Sequence, residues 1–199
     1  MTKCTFIKNK HKYYLDEVLV PSVTTLLQQQ DFMDFSSVNQ SLLERSQDFG
    51  TAIHEACELY DKKTLEESSL DPGLKPYMES WKKFIKDYGA EFLEIEKIVY
   101  STRWRAAGTL DRVATLKKYP GYTLIDIKSS TAVLPCTALQ TAGYKIFWEE
   151  MTGLKIARRW IVQLLPNKYL VHKFTEPTDE SVFLSALACY RWKRRNKIL

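Results

Sequence analysis

The spacing of apolar residues in the first half of the chain predicts three helices. Apolar positions recur at the spacing of one helix face from about 39 to 62, and no proline interrupts them. A second amphipathic segment, 75–89, ends at Gly89, and glycine is common just after a helix. A shorter helix is expected after Ser22, whose hydroxyl can accept a hydrogen bond from a free backbone N–H.

Alternating apolar and polar positions predict strands at the N-terminus and in the second half. Residues 4–20 are typical of a hairpin of two strands around the polar turn KNKHK. Three further runs predict an antiparallel meander and two later runs a strand pair: 92–101, 106–116 and 121–129, then 157–165 and 168–174. A helix is expected from Pro135 to about Met151, stopping near Gly153, and a basic helix over 178–196 closes the chain.

These elements predict a mixed α/β (α+β) fold in a single domain of 199 residues. The N-terminal hairpin and short helix occupy 1–38, the core occupies 39–152, and the strand pair and basic helix occupy 153–199. The length is sufficient to bury a substantial core. A hydrophobic fraction of 45% with 27% charged residues excludes a mainly disordered chain.

Charge and cysteine content narrow the class of protein without naming a function. The formal charge of +5 fits a polyanionic partner but does not require one. Four scattered cysteines form no CxxC pair, so neither a zinc ribbon nor a disulfide framework is indicated. No window approaches the roughly 18 apolar residues of a membrane span. We expect a soluble cytoplasmic protein, of a bacterial or phage-infected cell, without a membrane partner.

Candidate chemistry lies where two neighbouring strands of the meander carry acidic residues. Asp126 and Lys128 share one face of a strand because side chains alternate with a period of two, whereas Ile127 points into the core. Asp111 lies in the preceding strand. Two nearby carboxylates repel each other unless a cation lies between them, and Mg²⁺ prefers such oxygen ligands. A solvated Asp and Lys pair at a strand end is the commoner meaning of this short motif taken alone.

Four other residues extend this group. Glu96 precedes Asp111 by one strand and can supply a third carboxylate, although a surface glutamate is as common. His54 lies on the first long helix and can complete a mixed metal shell, although a lone helical histidine is more often structural. Gln140 and Tyr144 are one helical turn apart and suit a phosphate backbone, or form an ordinary helix surface.

Taken in order, the motifs GTAIH, EIEKIVYS, GTLD, DIK and QTAGY resemble the RecB-type, Cas4-like branch of the PD-(D/E)XK nuclease superfamily. That branch includes small phage and bacterial exonucleases and the mitochondrial genome maintenance exonuclease. The resemblance spans 46–148. It implies a restriction-endonuclease-like core, with a central mixed β-sheet flanked by helices, here with an N-terminal β-hairpin and a helical lobe.

The resemblance also implies roles for individual residues. His54, Asp111, Asp126 and the backbone carbonyl of Ile127 would bind Mg²⁺ or Mn²⁺. Glu96 would assist, Lys128 would be the catalytic lysine, and Gln140 with Tyr144 would position DNA. Cas4-like members hold an iron-sulfur cluster with one cysteine before the core and a group after it. Since only Cys189 follows QTAGY, no such cluster is expected here.

Basic residues are expected to form a DNA track, or else are simply solvated. The candidates are Arg103, Arg105, Arg112, Arg158, Arg159 and the C-terminal RWKRRNK. The preferred hypothesis is a metal-dependent exonuclease acting on DNA ends in replication, recombination or repair, with a recombination or replication protein as partner. The alternatives are a nucleic-acid-binding module without cleavage and a structure-specific endonuclease or junction resolvase.

Overall fold

The computed structural model describes residues 2–33 and 39–198, which form eight strands and five α-helices. In chain order these are β1 (Cys4–Ile7), β2 (Lys12–Leu15), β3 (Val18–Val20), α1 (Val23–Gln29), α2 (Gln40–Asp61), α3 (Lys75–Tyr88), β4 (Ala90–Ser101), β5 (Ala106–Leu116), β6 (Tyr119–Lys128), α4 (Cys136–Thr152), β7 (Ile156–Leu165), β8 (Lys168–Phe174) and α5 (Asp179–Arg195). None of the described helices has the length and apolar character needed to cross a membrane.

The central sheet has five strands in the order β4-β5-β6-β7-β8. All neighbours are antiparallel except β6 and β7, which run parallel because α4 carries the chain back across the sheet between them. The predicted meander and strand pair are thus confirmed, and so is the mixed central sheet flanked by helices.

Helices cover both faces of this sheet, and the alternation of β6 shows which side each residue faces. Leu124 packs with α1, α4 and α5 in one core cluster. Ile125 and Ile127 pack with α2 and α3 in a second cluster on the opposite face. Asp126 and Lys128 therefore face the α4 side, since they alternate with Ile127.

The N-terminal sheet has three strands, one more than the predicted hairpin. Asp16 and Glu17 adopt left-handed backbone conformations with φ of 47° and 67°, which turn the chain between β2 and β3. The sequence did not predict this turn because neither residue is the glycine or asparagine that usually marks one. The boundary expected at 38 lies outside the described residues, and the division into one domain with three parts stays a prediction.

Helix ends follow the local chemistry of the sequence. The Ser22 hydroxyl accepts from the N–H of Thr25 and caps α1. Gly89 ends α3 and Gly153 ends α4, both in the left-handed conformation that glycine adopts without steric cost. The predicted positions of these helix ends are therefore confirmed.

Candidate metal centre

Three potential metal ligands from different elements lie together at the edge of the central sheet. His54 of α2, Glu96 of β4 and Asp111 of β5 each offer one ligand atom, and these atoms lie within 4.8 Å of one another. Imidazole nitrogen and carboxylate oxygen are ligands that divalent metal ions accept. This group of three can therefore bind a metal.

Asp111 links α2, β5 and β6 at this point. Its Oδ2 accepts a hydrogen bond of 2.6 Å from the backbone N–H of Ile127 and lies 3.4 Å from Nδ1 of His54. The register explains the first contact, because Arg112 is paired with Ile125 and Asp111 therefore lies beside the residues that follow Ile125. The β5–β6 pairing thus brings Asp111 to the Asp126 end of β6.

Glu96 interrupts the regular ladder of β4. Its φ is +48°, a left-handed conformation that is uncommon for glutamate and costs about 1–3 kcal/mol within a strand. Ile95 is paired with Arg112 and Lys97 with Leu110, so Glu96 lies between two regular pairs. Its Oε1 accepts a 2.8 Å hydrogen bond from Nη1 of Arg112. This contact fixes the carboxylate beside Asp111.

Asp126 and Lys128 form an ion pair next to this group. Nζ of Lys128 lies 2.6 Å from Oδ2 of Asp126, and Asp126 is only 1% exposed. The angles of this contact fall short of a well-aligned hydrogen bond, but the ammonium is a direct cationic partner of Oδ2. Because a buried carboxylate is costly unless it is paired, this ion pair stabilises the charged form of Asp126.

The pKa values of the site follow from burial and from its crowded charges. Burial raises the pKa of Glu96 to about 8, Asp111 raises it further and Arg112 opposes the shift. The pKa of Asp126 is raised to about 6, mainly by burial. The ammonium of Lys128 opposes this rise, whereas the charge of Asp111 adds to it. Burial lowers the pKa of Lys128, but Asp126 and Asp111 outweigh it and leave the pKa raised. Without a cation, Glu96 and Asp126 therefore keep their protons to a higher pH than ordinary carboxyl groups do.

The residues present fit a divalent cation, and they differ in part from the predicted set. Glu96, expected only to assist, lies in the compact group with His54 and Asp111, while Asp126, paired with Lys128, adds a carboxylate from the next strand. A cation would offset the mutual repulsion of the three carboxylates. Which of these atoms hold an ion, with or without the Ile127 carbonyl, stays a prediction.

Gln140 and Tyr144 lie together on α4, facing this end of the sheet. Nε2 of Gln140 donates a 3.1 Å hydrogen bond to the Tyr144 hydroxyl, and both residues are buried. Gly108 makes room for the tyrosine ring, since a Cβ there would lie 2.7 Å from Cε1. Burial, and then the charge of Asp126, raise the pKa of Tyr144. The hydroxyl therefore stays protonated and keeps a proton to donate.

Two of the five arginines predicted to contact DNA are buried in ion pairs. Arg112 is 0% exposed, and its Nε donates to Asp61 at 2.7 Å while Nη1 donates to Glu96. Arg159 donates to Asp179 at 2.6 Å and to the Ala138 carbonyl at 2.7 Å. Neither guanidinium is free for a phosphate, so the prediction of DNA contact is wrong for Arg112 and for Arg159.

The other three arginines are accessible, in two different places. Arg103 and Arg105 are exposed in the turn between β4 and β5. Arg158 is half-buried and donates to the Pro120 carbonyl. It is paired with Thr123, about 16 Å from Lys128 at the usual rise of a strand. The structure therefore does not bring Arg158 to the metal centre.

Asp61 lies in the surroundings of the site, although no motif of the sequence predicts a role for it. Its buried carboxylate accepts hydrogen bonds from Nε of Arg112 and, at 2.9 Å, from Nε1 of Trp81. It is the last residue of α2, where the helix dipole disfavours negative charge. This unfavourable position was the one local signal that Asp61 has a specific cationic partner.

Protonation of Glu96 predicts how the stability of the metal-free protein depends on pH. Between its ordinary pKa of 4.5 and about 8, the folded state holds a proton that the unfolded chain has released. The contribution of Glu96 to the free energy of unfolding therefore falls as pH rises through this range. Glu96→Gln removes the titration, so the variant should gain stability relative to wild type at the alkaline end and not at the acidic end. The free energy of unfolding of both proteins is measured by urea titration in EDTA at several pH values in this range. If its pH dependence is the same for wild type and Glu96→Gln, the prediction is contradicted.

Comparison with known proteins finds similar structures but no similar sequence among family models or curated proteins. No protein-family model and no curated protein matches the sequence. A "putative exonuclease" from Eubacterium rectale has a TM-score of 0.48 and 10% sequence identity, over 75% of this chain and 68% of that chain. An alkaline exonuclease from Laribacter hongkongensis has a TM-score of 0.37 and 14% identity, over 89% of this chain and 94% of that chain. Both likenesses have sequence identities below 25% and TM-scores below 0.5, so they describe similarity of structure and not membership of a family.

Proposed function

We propose that the protein is a metal-dependent nuclease that hydrolyses DNA phosphodiester bonds, as an exonuclease acting on DNA ends. One observation carries this proposal. Buried Asp126 forms an ion pair with the ammonium of Lys128 and lies next to the group of His54, Glu96 and Asp111. Acidic ligands and one cationic side chain at a strand end are what hydrolysis of a phosphodiester requires.

Mg²⁺ or Mn²⁺ is the proposed cofactor. His54, Glu96, Asp111 and Asp126 would hold it, together with the carbonyl of Ile127. Once bound, such an ion acidifies a coordinated water and neutralises charge on the phosphate. The contribution of the chain is to keep the carboxylates close together, which Arg112 does for Glu96 and the Ile127 N–H does for Asp111.

Lys128 would act on the reacting phosphate. Its raised pKa keeps the side chain as an ammonium, and a quarter of that side chain is exposed at the end of β6. An ammonium has three donors and a full positive charge. It can therefore donate to a water or to a phosphate oxygen and offset negative charge that develops in the transition state.

Gln140 and Tyr144 would orient the DNA strand. Because the tyrosine hydroxyl accepts its hydrogen bond from Gln140, its own proton is left to donate to a phosphate oxygen. Both side chains are neutral, so they can orient a phosphate by hydrogen bonding without changing the net charge of the site. A replication or recombination protein of the cytoplasm is the proposed partner that would supply DNA ends.

Cleavage assays with and without metal test the proposed function. We expect linear DNA to be degraded in Mg²⁺ or Mn²⁺, and we expect EDTA to stop the reaction because the carboxylates then lack their cation. The products, resolved on a denaturing gel, should be short fragments released from ends. Cleavage that continues in EDTA would contradict the proposal, and so would intact DNA with either metal.

The form of DNA that is cut separates the alternatives. Cutting of closed circular or branched DNA would favour a structure-specific endonuclease. DNA binding without hydrolysis, for all metals and DNA forms, would favour a binding module. Since the described site keeps every carboxylate and the lysine in place, we rank the binding module lower.

A further inference from the structure

A second cluster of functional side chains forms a basic cleft away from the metal centre. The cleft has a volume of about 510 Å³ and lies between the N-terminal sheet, α1 and α5. Its basic lining residues are Lys10, His11, Lys12, Arg105, Arg191 and Arg194, and the described lining contains no aspartate or glutamate. Concave surfaces with charge of one sign concentrate oppositely charged ligands. The cleft is therefore suited to an anion with several charges.

Three separate elements supply these cations. Lys10 lies in the connection between β1 and β2, where His11 turns the chain with φ of 46°, and Lys12 is the first residue of β2. Arg191 and Arg194 are three residues apart on α5, so they lie on one face of the helix. These cations therefore line one concave surface from separate elements, and they do not form a run of solvated basic residues along a single element.

The turn that presents Arg105 is held firmly. Glu150 of α4 accepts hydrogen bonds from Ser101 Oγ at 2.5 Å and from the backbone N–H groups of Thr102 and Arg103 at 3.0 and 3.3 Å. Arg105 has φ of +47°, a conformation that persists only where the surroundings fix it. The guanidinium therefore extends from a pre-organised turn.

The cleft and the metal centre are connected through β5. Arg105 directly precedes this strand and Asp111 lies six residues later, about 20 Å away at the rise of a strand. Between them, the Tyr13 hydroxyl and Thr109 Oγ1 are 2.8 Å apart and link the N-terminal sheet to β5. The cleft also lies on the α1, α4 and α5 side of the central sheet, the side that Asp126 and Lys128 face.

We infer that this basic cleft binds the phosphate backbone of one DNA strand, about six nucleotides from the bond to be cut. The inference rests on the proposed function, since it names where the substrate extends beyond the metal centre. A separation of about 20 Å corresponds to about six nucleotides at the 3.4 Å spacing of a B-form strand. The cleft volume of about 510 Å³ lies in the range of ligand-binding pockets, which is sufficient for phosphates of one strand.

The test compares binding of short and long strands by two charge-matched variants. Arg105→Gln with Arg191→Gln removes two cleft cations, and the control, Lys86→Gln with Lys118→Gln, removes two exposed cations elsewhere. Fluorescence anisotropy in EDTA is measured with DNA of about 4 and about 16 nucleotides, a length that spans the separation. For the longer strand, the cleft variant should bind about tenfold more weakly, and its log–log salt slope should be smaller by about 1.4, since each contact to a single strand contributes about 0.7. Wild type should bind the shorter strand more weakly than the longer one, because the shorter strand cannot span the separation between the cleft and the metal centre.

The outcomes for the cleft and for the proposed function can be separated, because binding is measured without cleavage. Equal affinity of the cleft variant and wild type for the longer strand, in a protein that cuts DNA, would overturn the cleft and leave the nuclease function standing. Weaker binding by the cleft variant in a protein that cuts nothing supports the cleft as a DNA site and overturns the nuclease function. Equal losses in the control variant, or tighter binding of RNA than of DNA of the same length, would also overturn the cleft. Circular dichroism and melting temperature confirm that both variants fold.

Discussion

Lys128→Met lowers the turnover number for DNA cleavage by about 10²–10³-fold, the loss seen when one stabilising group is removed from a developing charge. The ammonium of Lys128 lies 2.6 Å from Oδ2 of Asp126, at the end of β6 where the carboxylates meet. Methionine keeps most of the side-chain volume and removes the charge. Because Lys128 acts on charge that develops during the reaction, kcat should fall while KM for DNA changes little.

Two further variants show whether this loss is specific. Lys118→Met removes an exposed cation from the turn between β5 and β6 and should leave kcat unchanged. Asp126→Asn keeps the shape of the side chain but removes the proposed ligand charge, and it should also abolish the metal-induced rise in melting temperature. Lys128→Met should retain that rise. Turnover close to wild type in Lys128→Met would exclude a catalytic role for this lysine.

Most secondary structure could be predicted from the sequence, because its signals are local. The amphipathic period of α2 and α3 and the alternation of β4, β5 and β6 are properties of short windows. The third N-terminal strand was missed, since Asp16 and Glu17 turn the chain without the usual turn residues. The parallel pairing of β6 with β7 depends on the crossover through α4, which only the complete sheet makes visible.

The candidate site could be predicted where it depends on one strand, and less well where it depends on contacts between elements. The shared face of Asp126 and Lys128 follows from the period of two. The approach of Glu96 to Asp111 depends on a left-handed residue within β4, which no pattern in the sequence indicates. The buried role of Arg112 depends on Asp61, 51 residues away in the chain. Both charged residues resemble surface residues until the fold brings them together.

Arg112 explains how a crowded acidic site folds before any cation arrives. Glu96 and Asp61 are separated from each other in sequence but share this one guanidinium, whose central carbon lies 5.9 Å from the ring centroids of both Trp81 and Phe92. The planar fork of arginine suits such a position, since it can donate in several directions while its faces pack against aromatic rings. Arg112 therefore positions Glu96 from the core side while the metal side stays open.

Arg112→Met should destabilise the protein by about 3–5 kcal/mol, the cost of removing one partner from a buried ion pair. The carboxylate of Asp61 would remain buried with only Trp81 as donor, and Glu96 would lose its contact of 2.8 Å. The free energy of unfolding from urea titrations measures this loss. A second variant, Arg112→Met with Asp61→Asn, removes the unpaired charge and should recover a large part of the stability, because the penalty lies in the stranded carboxylate. Equal stability of wild type and Arg112→Met would contradict the assignment of Arg112 as the central cation of this network.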